Sequence, residues 1–432
     1  MTKCTCGPHP FIDLTPAYNG YSPDIIDGHN LESFANVRKE LFAACRSHGC
    51  FHGCISISPN VRNEISSLAK SIESIERDIE SIFASVSEDE RDGGMFVVPY
   101  PESSLTATFR GRIAESGDPI HPVPEPKLSW EYRRCCKSQQ HSSVIVDQCP
   151  SSSLFSKLLP EWTDALHSIA SLVIELLGIP QNSVLQEGRC KCSHSHCVGP
   201  CNIDLLRVFR YDAVDSSAQM MGSSSHSDWG TLTVVWQDEK GGLQTYCHAC
   251  DAWSDVDASA KSSSSSSMAY FFVHVGDFLS LSTVGYKGEP TWPSPLHRVI
   301  CPSLKETTSG DEGNGKLCRR SLVYFAYPPL GISLDDARRL LPISSSSSSL
   351  LTGEDISEND KLPSVEIYDR YSLLRNQSHR PLPVPLPQGD DLGSTDVKTL
   401  DKGEDAFSTY RRIRKMPFDR VITEKWDQVQ RK

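Results

Sequence analysis

The chain has 432 residues with a formal net charge of −12, 38% hydrophobic and 23% charged residues. That length suits one large domain with extensions, and that composition suits a soluble globular protein. The acidic balance argues against a phosphate-backbone binder, no apolar run reaches the roughly 18 residues a bilayer span needs, and the N-terminus lacks an apolar signal core. The expected location is therefore cytoplasmic, with the nucleus as the alternative. Neither a membrane nor a nucleic-acid partner is expected. In a reducing compartment the 16 cysteines read as free thiols or metal ligands rather than disulfides.

The first element in chain order is a short strand start at Phe11-Ile12-Asp13-Leu14. A helix follows over 31–46, with Phe34, Val37, Leu41 and Cys45 on one stripe, and Gly49 ends it. Cys50 to Ile57 is a β-like run. A second helix starts at Ser58-Pro59 and carries Ile65, Leu68, Ile72, Ile75, Ile79, Ile82 and Val86 at steps of three and four. Residues 95–157, rich in proline, serine and charge, read as irregular. A third helix is expected over 160–177, with Trp162, Leu166, Ile169, Val173 and Leu176 inward, closed by Gly178 and Pro180.

Short β-rich runs then dominate: Leu205–Tyr211, Thr231–Trp236, Gly242–Tyr246, Tyr270–Val275, Phe278–Ser282, His297–Cys301 and Ser321–Tyr327. Their spacing suggests a sandwich or jelly roll. Ser254–Ser267 and Lys305–Lys316 read as surface insertions. Beyond 331 come a serine run at 344–349 and the proline-rich stretch 381–387, a stiff linker. Glu404 to Gln430 looks helical and should bend or break at Pro417.

The chemistry concentrates in Ser225-His226-Ser227-Asp228-Trp229-Gly230-Thr231. Residues two apart in a strand project to one face, so His226 and Asp228 can aim an imidazole and a carboxylate at one point. Iron(II) in oxygenases takes two histidines and one carboxylate on one face. His297, opening a later apolar strand in Leu296-His297-Arg298-Val299, is the best third ligand. Arg319 and Ser321 in the next β-run suit a small carboxylate, and Tyr211 adds a third polar group. His274, Trp229 and Trp292 read as pocket lining or plain core.

These motifs, together with Gly241-Gly242-Leu243-Gln244 and Val275-Gly276-Asp277, resemble the 2-oxoglutarate- and iron-dependent oxygenases related to isopenicillin N synthase. Phe11–Leu14 and the stretch Arg38–His52 resemble that family's N-terminal extension, so the likeness spans about residues 10–330. The resemblance implies a mainly β protein with flanking helices (α+β). Its core would be a double-stranded β-helix, or jelly roll, with an N-terminal helical extension. The expected divisions are an extension over 1–157, the jelly-roll domain over 158–330 and a tail over 331–432. His226, Asp228 and His297 would hold Fe(II), while Arg319, Ser321 and Tyr211 would hold 2-oxoglutarate. With O2, and ascorbate as reductant, the cosubstrate would be decarboxylated to succinate and CO2. A small-molecule metabolite would then be hydroxylated, desaturated or cyclised. The alternatives are an oxygenase of protein or nucleic acid, and a non-catalytic sensor that retains the fold. The sequence departs from the family at Phe209, where many plant members carry asparagine.

Two other signals have plainer readings. Cys190-x-Cys192-x-His194-x-His196-Cys197-x3-Cys201 is a cysteine-rich surface loop, with a zinc site as the alternative if Cys247 to Cys250 joins it. Arg411-Arg412-Ile413-Arg414-Lys415 is a solvated helix face, with a nuclear address as the alternative.

Overall fold

The computed structural model describes residues 9–19, 28–56, 75–84, 95–99, 105–110, 125–134, 152–185, 204–214, 221–257, 268–284, 290–303, 318–341, 368–375 and 406–430. Its strands are β1 (Phe11–Asp13), β2 (Cys50–Ser56), β3 (Met95–Pro99), β4 (Leu105–Arg110), β5 (Lys127–Arg134), β6 (Leu205–Asp212), β7 (Met221–His226), β8 (Leu232–Gln237), β9 (Leu243–Cys247), β10 (Ala252–Asp255), β11 (Met268–Val275), β12 (His297–Ile300) and β13 (Cys318–Ala326). Its helices are α1 (Thr15–Asn19), α2 (Gly28–Ser47), α3 (Ile75–Ala84), α4 (Ser152–Leu176), α5 (Gln181–Val184), α6 (Asp277–Ser282), α7 (Leu334–Leu340), α8 (Ala406–Ile413) and α9 (Phe418–Gln430).

Two sheets form the jelly roll. Among the described residues, one has nine strands in the order β1-β2-β11-β8-β13-β6-β5-β4-β3, and the other has four in the order β10-β9-β12-β7. Pairing is antiparallel except between β1 and β2. Alternation along the large sheet separates two apolar clusters. Leu206, Val208, Val234, Trp236, Val273, Leu322 and Tyr324 join the main core with α2 and α4. Phe209, Tyr211, Val235 and Phe272 cluster instead with Leu243, Val299 and Cys301 from the small sheet. This second cluster fills the space between the sheets, where the candidate site lies. All six residues of β8 are buried, because both faces are covered.

Helix α4 confirms the stripe Trp162, Leu166, Ile169, Val173 and Leu176, each fully buried. It begins at Ser152, upstream of the expected start, and carries Pro160 inside it. The proline costs one backbone hydrogen bond there, and the buried neighbours Leu159 and Trp162 offset that loss. Of the expected second helix, Ile75–Ala84 is helical, with Ile75, Ile79 and Ile82 buried. Ile65, Leu68, Ile72 and Val86 lie outside the described residues, as do the serine and proline-rich runs of the tail. The terminal region does break at Pro417, between α8 and α9.

Three expectations fail. The stretch 95–157 holds three strands, β3 to β5, which extend the large sheet beyond β6. Its period-two pattern is masked because the face of β5 opposite Leu128, Trp130 and Tyr132 carries charges. Those charges are paired, Lys127 with Glu125 and Glu131 with Arg207. Phe278–Ser282 is helical rather than extended, and all six residues of α6 are buried. A short run buried on every side has no periodicity to read. Finally, β7 ends at His226, so Asp228 is a loop residue and does not share a strand face with His226. Among the described residues, no helix is long and apolar enough to cross a membrane.

Candidate metal centre

Strands β7 and β12 are antiparallel neighbours, and His226 and His297 face each other in register. Their rings lie 4.3 Å apart between centroids. The Nδ1 of His226 lies 2.7 Å from the Ser224 carbonyl, and that of His297 lies 3.2 Å from the Pro295 carbonyl. A carbonyl only accepts, so Nδ1 carries a proton in each ring, which leaves Nε2 as the atom that can ligate. Both Nε2 atoms lie 3.6 Å from Asp228 Oδ1. The three donor atoms fall within 4.8 Å of one another. Two imidazoles and one carboxylate, converging from one side, match the donor set of non-haem iron(II) sites. Asp228 and His297 are buried, whereas the His226 side chain is 39% exposed and marks the open side.

Asp228 is held although it sits on a loop. Thr233 donates its hydroxyl to Oδ2, and His274 Nε2 lies 3.4 Å from the same oxygen. The backbone is gripped by the start of α6: the Asp277 amide donates to the Asp228 carbonyl at 2.6 Å, and the Phe278 amide to the Gly230 carbonyl at 3.0 Å. Gly276 has no room for a side chain, since a Cβ there would lie 2.2 Å from the Gly230 oxygen. Burial pushes the Asp228 carboxyl up, but the three imidazoles beside it and the Thr233 bond carry it below its ordinary value. Burial, and then His226, hold His297 well below the usual imidazole range, with Asp228 opposing. Asp228 is thus ionised and His297 neutral at neutral pH, the forms in which a carboxylate and an imidazole ligate a divalent cation.

Arg319 and Tyr211 are register partners on β13 and β6. The guanidinium is 1% exposed and lies over the Tyr211 ring, 4.8 Å from its centroid. It donates to Gln237 Oε1 at 3.0 Å, to Ser321 Oγ at 3.2 Å and to the Gly241 carbonyl. Every one of these acceptors is neutral, and among the described residues no carboxylate reaches Arg319. A buried guanidinium without a counter-charge is a ready partner for an incoming carboxylate. Gly242, at φ +88°, lets the Ile300 carbonyl and the Arg319 stem pack closely against it. Phe209 stacks on Tyr211 with centroids 5.6 Å apart, so that position offers an apolar wall.

Several contributors escape sequence reading. Thr233, Gln237 and the Gly241 carbonyl matter through partners fixed only by sheet register. His274 reads as lining or core in the sequence, yet its Nε2 touches the Asp228 carboxylate. Trp292 is fully buried and packs against Phe42, as a core residue does. The cluster at 190–201 lies outside the described residues, and Cys247, at the end of β9, and Cys250, just beyond it, are half-buried thiols. Two arginines of the basic run are engaged within the chain, Arg412 with Glu424 at 2.8 Å and Arg414 with Asp335 at 3.1 Å.

Residues 202–328 match the family model described as "2OG-Fe(II) oxygenase superfamily". Gibberellin 20 oxidase 1 of Arabidopsis thaliana is 24% identical over 77% of this chain and 78% of its own length. The 2-oxoglutarate-dependent dioxygenase citB of Monascus ruber is 23% identical over 69% of this chain and 82% of its own. Among solved structures, a full-length Neurospora crassa protein in complex with alpha-KG is similar with a TM-score of 0.46 and 17% identity, over 78% of this chain and 92% of that one. The match to the 2OG-Fe(II) oxygenase superfamily thus falls on residues 202–328, the stretch that carries His226, Asp228, His297 and Arg319.

Proposed function

We propose that the protein is a 2-oxoglutarate-dependent dioxygenase that oxidises a small-molecule metabolite, with His226, Asp228 and His297 as the iron ligands. The observation that carries this reading is the pairing of two features. The donor atoms of two imidazoles and one carboxylate converge within 4.8 Å, and among the described residues a buried guanidinium in the same jelly roll has no carboxylate partner. When bound, Fe(II) with 2-oxoglutarate and O2 supplies the oxidising power, releasing succinate and CO2.

The chain's own residues do the rest. His226, Asp228 and His297 ligate from one side and leave the other open. Arg319 and Ser321 take the distal carboxylate of 2-oxoglutarate, and the Tyr211 ring covers the guanidinium face. Burial pushes the Tyr211 phenol up, so it stays protonated at neutral pH. The apolar wall of Phe209, Val235, Leu243 and Val299 excludes water from this end. A small-molecule substrate is supported by relatives named for gibberellin and for 1-aminocyclopropane-1-carboxylate, and by the chain's net charge of −12.

The test is succinate formation from 2-oxoglutarate with iron(II) and ascorbate. Metabolite profiling of cell extract, comparing wild type with Asp228→Ala, then identifies the substrate. Succinate production by wild type that vanishes in Asp228→Ala supports the reading. Equal production by both proteins would refute it.

A further inference from the structure

We propose that the segment 368–375, beyond the matched family domain, is a built part of the metal centre, with Ser372 as a positioning residue that fixes the peptide between His226 and Asp228. The inference rests on those two residues being metal ligands. Ser227, the residue between them, is 1% exposed and is clasped reciprocally. Its amide donates to Ser372 Oγ at 2.9 Å, and the Ser372 amide donates to Ser227 Oγ at 2.9 Å. Ser227 Oγ in turn donates to Asp277 Oδ2 at 3.0 Å, and the Leu373 amide donates to the same oxygen at 2.8 Å. Asp277 also holds the Asp228 carbonyl through its own amide, at 2.6 Å. One carboxylate and two serines therefore tie the ligand loop, α6 and the tail into a single unit.

The segment is anchored well enough to act as a fixed wall. Leu373 and Leu374 are fully buried, and the Tyr371 hydroxyl lies 2.9 Å from Ser280 Oγ in α6. Lys425 of α9 donates to the Arg375 carbonyl, which links the far end to the C-terminal helices. Metal sites tolerate donor displacements of only a few tenths of an ångström. Because Asp228 is off the strand, strand alternation does not set its distance from His226; the clasp on the intervening Ser227 peptide acts there together with the Asp277, Thr233 and His274 contacts to Asp228. Removing the Ser372 hydroxyl leaves the buried Ser227 amide without an acceptor and frees that peptide to turn towards water.

The experiment is anaerobic Co(II) titration of the full chain, with affinity and the visible spectrum of bound Co(II) as readouts. Groups that orient metal ligands typically change affinity about 10- to 100-fold when removed. Ser372→Ala is expected to weaken Co(II) by about tenfold or more and to alter the spectrum. Ser372→Thr, which keeps the hydroxyl, is expected to restore both. Leu166→Ala, in the helix-side core, should lower the melting temperature without changing the spectrum, which separates positioning from general destabilisation. Ser227→Ala is the second variant should Ser372→Ala not fold, with the same expected losses. Wild-type affinity and spectrum in folded Ser372→Ala or Ser227→Ala would overturn the clasp alone. Absence of Co(II) binding by the wild type would overturn the metal assignment and the clasp together.

Discussion

Replacing Arg319 by methionine tests the proposed cosubstrate pocket most sharply, because two effects of the change run in different directions. In the wild type the guanidinium is fully buried among neutral acceptors. Truncating one partner of a buried charge pair costs about 2–5 kcal/mol, which corresponds to roughly 30- to 5,000-fold weaker 2-oxoglutarate binding. Without cosubstrate the balance differs. The variant loses three hydrogen bonds worth about 1 kcal/mol each, and it is relieved of several kcal/mol of charge desolvation. The free protein is therefore expected to melt close to the wild type, with unchanged Co(II) affinity. Arg319→Lys, which keeps the charge but not the fork, should fall between the two. The assay is calorimetric titration of 2-oxoglutarate into the anaerobic Co(II)-loaded protein, alongside thermal melts of the free protein. Undiminished 2-oxoglutarate affinity in Arg319→Met would refute the assigned role. A large loss of stability with affinity retained would mark Arg319 as structural instead.

Other sites carry separate expectations. His274→Phe keeps a ring against His297, 4.5 Å away between centroids, but removes the nitrogen beside Asp228 Oδ2; Co(II) binding should weaken by about tenfold, and equal affinity would show that Thr233 alone orients the carboxylate. Gly276→Ala would place a Cβ 2.2 Å from the Gly230 oxygen, so a loss of about 2 kcal/mol or more is expected in denaturant unfolding, and a neutral result would contradict the close approach. His9 is held at about 4, below its ordinary 6.5, by burial and then by His52 and His48. The folded state therefore binds fewer protons than the unfolded chain between those values, and stability falls as pH drops through that window. His9→Gln should fall less steeply from pH 6.5 to 4 in urea titrations, and parallel slopes would count against a half-buried neutral His9.

The site is legible in the sequence in unequal parts. His297 stands out because it opens a recognisable β-run, and His226 through its two-residue spacing from Asp228; the sheet brings the two histidines into register. Asp228 is a neighbour of these imidazoles as the spacing suggests, but for a different reason: it is held by Asp277, Thr233 and His274 rather than by strand alternation. Strand β7, Met-Gly-Ser-Ser-Ser-His, has no apolar alternation to detect. Strand β5 hides its own pattern behind paired charges.

Local order in the chain determined what repeats at short range: the buried stripe of α4, the break at Pro417, and the residue types able to bind a metal or a carboxylate. Tertiary structure alone decided which of those residues meet. The neutral acceptors around Arg319 and the Ser227–Ser372 clasp join positions about 80 and 145 apart in sequence. Hydrogen bonds across such separations depend on sheet register and on where the tail docks, and a sliding window along the chain contains neither.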